Sequence, residues 1–468
     1  MDRNWINLGL AYIGSCLRDN SYDVDLIDLR GMKNWMHLED ELRKRNPDIT
    51  GIHFNTVNYD NALQCARIAK QLDKVVVAGG PHASIVPEEL SCHRYVDYVV
   101  VGEGERAFPR LVRDIERGAA DKKVIYGERI EDLNDLPFPY RGLYDIERAI
   151  RPVGNFPFLD NGLVIMASRG CPYRCAFCQP AQQKVFGAKF RQRSVENVIA
   201  EVKDVVGRYK VKYISFQDDI FTVNKTWVME LCETLLEENI RLQWSAQSRV
   251  NTLDEELVAT LKKAGCVCLF LGFESGSQRM LDFIRKDITV QDSINAARLC
   301  RKHGILIFAD YMLGLPGETE EDLIATYNMI RKIRPEISSP SYFVPMPGSG
   351  LYDYCREKDM LLMKSYTDFL RNPAGEKIKG IDYALLERYK KRMLREATPW
   401  WREESFLKLA LKRWAHLWNE GYKVDALREF LYSTPVLNKI TEFLSVAIGL
   451  ATRFLKRAKA RDEKAVYS

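Results

Sequence analysis

The 468-residue chain has no apolar run suited to crossing a membrane: its last apolar segment, Phe443–Thr452, offers ten uncharged residues, whereas a spanning helix needs about 20. It has little net charge. Against 69 Lys and Arg stand 64 Asp and Glu, giving +5, and the final 18 residues, with six basic and two acidic side chains, hold +4 of it. The body is near neutral, which argues against the basic stripe of a nucleic-acid-binding domain. A paired-cysteine frame is also missing, since eleven cysteines, an odd number, are scattered through a long chain. Disulfides are therefore not expected, and metal-binding or reactive thiols become the question. No basic and then apolar leader opens the sequence, so the chain is expected in the cytoplasm.

What is present is ordinary globular material, 46% hydrophobic and 28% charged, long enough for roughly two to four domains. The first region alternates strand-like runs (Val24–Asp28, Ile49–Phe54, Val75–Gly80, Tyr98–Gly102) with apolar helical patterns such as Ala62, Cys65, Ala66, Ile68 and Ala69. Strands separated by helices predict a parallel, doubly wound, Rossmann-like sheet over residues 1–125, with ligands at the carboxyl ends of the strands. That rim comprises Thr56 and Asn58 after one strand, Gly79, Gly80, His82 and Ser84 after the next, and Gly102, Glu103 and Gly104 after the last. Its glycines permit close approach of a ligand to backbone, or simply make tight turns. A doubly wound unit normally opens with a strand; here Leu8–Asp19 already reads as a helix, so the first strand is not found.

Residues 126–160, with Leu136-Pro137-Phe138-Pro139-Tyr140, read as a linker. From Leu163 the alternation resumes, with strands expected at Leu163–Ala167, Val211–Phe216, Leu242–Ala246, Val267–Phe273, Ile305–Met312 and Ser338–Phe343. Helices fall between them at Val195–Tyr209, Thr226–Glu238, Asp254–Ala264, Val290–His303 and Glu320–Ile333. Six βα units over residues 161–368 predict a partial (β/α)6 barrel whose functional groups follow the strands. Residues 369–468 read as helical, with Trp400, Trp401, Trp414 and Trp418, and end in an amphipathic segment from Val436. That segment and the basic residues after it suit peripheral contact with an anionic membrane, or packing on the chain's own domain.

After the first barrel strand stands Ser168-Arg169-Gly170-Cys171-Pro172-Tyr173-Arg174-Cys175-Ala176-Phe177-Cys178-Gln179-Pro180. Three thiols spaced Cys-x3-Cys-x2-Cys on a loop at a strand's carboxyl end can converge on one metal centre, and soft thiolates select iron–sulfur or zinc. A structural zinc wants a fourth ligand, and none is close in sequence. Further along, Gln217-Asp218-Asp219 follows the second strand, where paired carboxylates can take an ammonium or simply cap the next helix. Ser248-Arg249 follows the third, with a guanidinium suited to a carboxylate. Gly272-Phe273-Glu274-Ser275-Gly276 follows the fourth, and Gly314-Leu315-Pro316-Gly317-Glu318-Thr319 the fifth.

This cysteine spacing, at this place and with Phe177 before the third cysteine, resembles the radical S-adenosylmethionine superfamily from about Leu163 to Tyr352. The resemblance implies that Cys171, Cys175 and Cys178 bind a [4Fe–4S] cluster whose open iron takes S-adenosylmethionine. That ligand would be held by Asp218, Asp219, Arg249, Glu274, Ser275, Gly314 and Gly317. One-electron reduction, from a donor such as flavodoxin or ferredoxin, then yields a 5′-deoxyadenosyl radical. With the preceding domain, the chain from about Leu8 resembles the cobalamin-binding members, among them methyltransferases and the anaerobic ring cyclases of chlorophyll synthesis. The resemblance implies that Thr56, Asn58, Gly79, Gly80, His82, Ser84, Gly102, Glu103 and Gly104 meet cobalamin. No Asp-x-His-x-x-Gly occurs, so His82 is expected beside the corrin rather than on cobalt. The expected activity is methylation of an unactivated carbon or phosphorus centre on a small or lipid-like substrate. Ring closure, oxidation or rearrangement is the alternative within enzymes; a corrinoid- or zinc-binding regulator is the alternative outside them.

Overall fold

The computed structural model describes residues 6–150, 161–178, 185–187, 189–369 and 375–396. In its first half, β1 (Ile49–His53), β2 (Val75–Gly79), β3 (Tyr98–Val101) and β4 (Val124–Tyr126) form a parallel sheet in that spatial order. The Val-rich runs are continuous rather than alternating because both faces are covered. Val76, Ala78, Val99 and Val101 pack with Ala62, Ala66 and Ile68, while Val77 and Val100 pack with Ala107 and Leu111 on the other side. The doubly wound reading is thus realised in the core.

Two expectations need correcting. Val24–Asp28 is not a strand: the Leu26 carbonyl accepts from Arg45 Nη1 (3.0 Å), and Asp28 accepts from Arg30 N (3.0 Å) to start a short 3-10 turn. Conversely, Val124–Tyr126 is a strand where the linker was expected to begin, paired with Val99–Val101. The connector itself is strapped down. Ser15 Oγ donates to Phe138 O (2.6 Å), Tyr140 N donates to Ala11 O (3.0 Å), and the buried Arg141 shares Glu201 with Arg193.

The second half is a six-stranded parallel sheet, β5 (Gly162–Ile165), β8 (Tyr213–Phe216), β9 (Gln243–Ser248), β10 (Cys266–Glu274), β11 (Leu306–Leu313) and β12 (Ile337–Tyr342), paired in sequence order. The six expected strands are these, within three residues at each end. A small antiparallel pair, β6 (Ser168–Arg169) with β7 (Arg191–Gln192), stands outside this sheet. Trp244, fully buried, packs against Phe216 and Phe221 and donates from Nε1 to Ala264 O (2.7 Å). Cys232, Cys266, Cys268 and Cys300 are buried in this core, where burial raises their thiol pKa values, as suits inert packing residues.

Past the barrel, Leu361 and Ile378 form an antiparallel bridge, so this part is not purely helical. The helix Tyr383–Glu396 lies along Glu320–Ile333, with Tyr389 Oη donating to Glu320 Oε1 (3.1 Å). The four tryptophans from Trp400 and the amphipathic segment from Val436 lie outside the described residues. Among the described residues, no helix is long and apolar enough to cross a membrane.

Candidate active site

The three cysteines sit on the loop between β6 and β7, Cys171 and Cys175 half-buried and Cys178 exposed. Gly170 starts the loop at φ +85°, where a Cβ would come within 2.8 Å of Lys189 O. The loop is anchored on three sides. Asp218 accepts from Ala167 N (3.3 Å) and Ser168 Oγ, Ala176 N donates to Ile284 O (2.8 Å), and Leu351 N donates to Ala176 O (2.9 Å). Two cations flank it. Arg249, almost fully buried, places Nη1 3.6 Å from Cys175 Sγ and its guanidinium 3.8 Å above the Tyr173 ring. Lys286 lies over Phe177 and pairs with Glu274 Oε1 (2.7 Å).

Among the described residues, no three His, Cys, Asp or Glu side chains are grouped as ligands to a single ion. Three soft donors beside two cations suit an anionic iron–sulfur cluster. Arg249 Nη2, buried with no hydrogen-bond partner, is a donor left over for a ligand carboxylate.

The other predicted contacts divide. Asp219 is half-buried at the end of β8; burial and then the charge of Asp218 push its carboxyl up to about 7. Asp218 has both oxygens engaged by the loop, so it positions the cysteines. Glu274 closes β10 in a bulge at φ +59°, a costly backbone conformation for this residue type, as found at ligand clamps. Ser275 is turned inward: fully buried, its hydroxyl meets Thr326 Oγ1 (3.1 Å) and accepts from Ser277 N (3.1 Å). Gly314 and Gly317 make the turn after β11 at φ +83° and +71°. Two residues went unassigned in the sequence reading. Lys286 has no local signature. Glu318, pushed up to about 8 by burial, accepts from Gly314 N (2.5 Å) and keeps Oε1 unpartnered.

On the first domain's rim, Gly80 turns at φ +97°, where a Cβ would lie 2.8 Å from Phe54 O, and Gly102 turns at φ +85°. Ser84 Oγ ties the two turns, donating to Gly80 O (3.1 Å) and accepting from Gly102 N (2.9 Å). Gly79 ends β2, Gly104 starts the helix Gly104–Glu116, and Asn58 is exposed, its backbone N bonded to Asn55 Oδ1. His82 is fully buried, Nδ1 3.2 Å from Thr56 Oγ1 and Nε2 without a hydrogen bond. Burial lowers its pKa, which favours neutral imidazole. The rings of Tyr59 (4.9 Å) and Tyr366 (5.0 Å) enclose it, and Tyr366, from beyond the barrel, was not foreseen. Glu103 departs most from expectation. Only 2% exposed, it is engaged by Arg169, Arg191 and Ile130 N, so its carboxylate serves the barrel rather than a ligand.

The sequence family described as the Radical SAM superfamily matches residues 165–330, and the B12 binding domain matches residues 2–112. An uncharacterized methyltransferase of Pyrococcus horikoshii is 33% identical, over 77% of this chain and 81% of that one. The chain belongs to the cobalamin-binding radical S-adenosylmethionine enzymes. The anaerobic magnesium-protoporphyrin IX monomethyl ester cyclase of Rubrivivax gelatinosus is 29% identical, over 76% of this chain and 67% of that one. The fold is shared with the radical S-adenosylmethionine methyltransferase TsrM of Kitasatospora setae, solved with cobalamin and a [4Fe-4S] cluster (TM-score 0.60, 20% identity, covering 76% of this chain and 75% of that one). Membership makes a [4Fe–4S] cluster, S-adenosylmethionine and cobalamin this enzyme's cofactors.

Proposed function

We propose that the enzyme transfers a methyl group from S-adenosylmethionine, by way of its corrinoid, to an unactivated carbon or phosphorus centre of a small or lipid-like substrate. The observation that carries this reading is the junction of the two rims. The glycine turn after β3 touches, through Glu103, the strand that leads into Cys171. Cofactors held on those rims meet one substrate, as a reaction needing both requires. Bound together, the cluster and corrinoid supply one-electron chemistry and a transferable methyl group. The chain's residues orient the ligands: Cys171, Cys175 and Cys178 hold the cluster; Asp219 accepts from the amino group of S-adenosylmethionine; Arg249 takes its carboxylate. Glu274 and the Gly314–Gly317 turn line the nucleoside side. Thr56, Asn58, Gly79, Gly80, His82, Ser84, Gly102 and Gly104 form the corrinoid rim. A flavodoxin- or ferredoxin-class donor provides the electron.

Ring closure without net methylation is the second reading, favoured by the 29% identity to a cyclase. The by-products separate the two. Methyl donation leaves S-adenosylhomocysteine, and reductive cleavage leaves 5′-deoxyadenosine. Reduced enzyme supplied with S-adenosyl-[methyl-2H3]methionine and anaerobic cell extract should release both and place the deuterated methyl in an extract metabolite. Substrate-dependent 5′-deoxyadenosine without S-adenosylhomocysteine or label would overturn methyl transfer in favour of the cyclase-like reaction.

A further inference from the structure

One buried carboxylate holds both ends of the cysteine loop. Glu103 Oε1 accepts from Arg169 Nη1 (2.8 Å), the residue two before Cys171, and from Arg191 Nη2 (3.1 Å), where the chain returns from the loop. Its Oε2 accepts from Arg191 Nη1 (2.8 Å) and Ile130 N (2.7 Å). Glu105 completes the set, accepting from Arg169 Nη2. Two guanidinium groups and two carboxylates balance, and all four side chains are at most 6% exposed. The two glutamates belong to the turn and first helical residues beyond β3, and Gly102 beside them is bonded to Ser84 on the neighbouring turn. The Gly-Glu-Gly-Glu run is therefore the mechanical joint between corrinoid rim and cluster loop.

We propose that Glu103 is a positioning residue that fixes the cluster loop in register with the corrinoid rim, so that the separation of the two cofactors has one value. Arg191 forks across both oxygens of Glu103 and Arg169 bridges Glu103 to Glu105, which defines a plane and a distance as a general apolar contact would not. The network is also buried, so its bonds resist the rearrangement that would let the loop drift. This inference rests on the corrinoid occupying that rim.

The test is the magnetic coupling between the reduced [4Fe–4S]+ cluster and cob(II)alamin in the holoenzyme, read by pulsed electron paramagnetic resonance. Iron and corrinoid per chain are measured first. A wild-type protein without corrinoid would refute the functional reading itself and is seen before any variant is compared. Glu103→Gln keeps the shape but removes the charge. Arg191→Lys keeps the charge but loses the fork across Oε1 and Oε2. The expected result is a narrow coupling in wild type that broadens in both variants while iron and corrinoid loading stay at wild-type levels. Unchanged coupling in either loaded variant overturns the proposal. Variants that fold but bind neither cofactor overturn it too, because the network would then build the sites rather than align them.

Discussion

Asp219 makes the pH dependence of S-adenosylmethionine binding a direct reading of the site. Its carboxyl titrates near 7 instead of 3.8, because burial and then Asp218 disfavour its charge. An amino group held by hydrogen bonds needs the carboxylate as its acceptor, so below about pH 7 affinity should fall by up to tenfold per pH unit, about 1.4 kcal/mol each. Tightest binding is therefore expected above about pH 7. Without ligand the sign reverses. The folded state binds more protons than the unfolded one between 3.8 and about 7, so stability is greatest below that window and falls as pH rises through it. The full difference is worth at most about 4 kcal/mol, and partial exposure brings it to roughly 1–2 kcal/mol. Calorimetric titration of cluster-loaded protein with S-adenosylmethionine from pH 5.5 to 8, in buffers of different protonation enthalpy, reads both affinity and proton release. Asp219→Asn should weaken binding and flatten the acid limb. A limb near pH 4, or one that persists in the Asn variant, would mean that Asp219 does not hold the ligand.

Cys175→Ala should abolish iron loading and 5′-deoxyadenosine formation together; iron analysis and product chromatography check this, and activity at the wild-type rate would contradict the cluster assignment. Gly80→Ala forces a side chain onto φ +97° and a Cβ to 2.8 Å from Phe54 O, with an expected cost of roughly 1–3 kcal/mol in thermal unfolding. Corrinoid should be lost from it while iron is retained. Lys286→Met strands the buried Glu274 charge and should destabilise the fold by about 3–5 kcal/mol, most of it recovered in the double variant with Glu274→Gln. Denaturant titration of the single and double variants reads the difference.

The six barrel strands were legible because apolar runs bounded by turn residues recur at βα spacing, a signal carried by each segment alone. The cysteine loop was legible for the same reason: its chemistry lies within eight residues. Val24–Asp28 misled because its composition suits a strand, yet Arg45, from the following helix, takes up the Leu26 carbonyl. Val124–Tyr126 is three residues long and gives almost no pattern. The site shows the same division. Glu103 sits in a glycine turn that looks ligand-facing, and its partners Arg169 and Arg191 lie 66 and 88 residues away. Ser275 likewise spends its hydroxyl on Thr326, 51 residues on. Lys286 and Tyr366 acquire their places only through tertiary packing, so no spacing rule points to them.

Whether this radical enzyme works with cobalamin is decided by measuring corrinoid and iron per chain in protein purified anaerobically from cobalamin-supplied cells. Stoichiometric corrinoid beside a full [4Fe–4S] cluster is expected, with 5′-deoxyadenosine released when S-adenosylmethionine and a reductant are added. A chain that carries the cluster and cleaves S-adenosylmethionine but binds no corrinoid would contradict it.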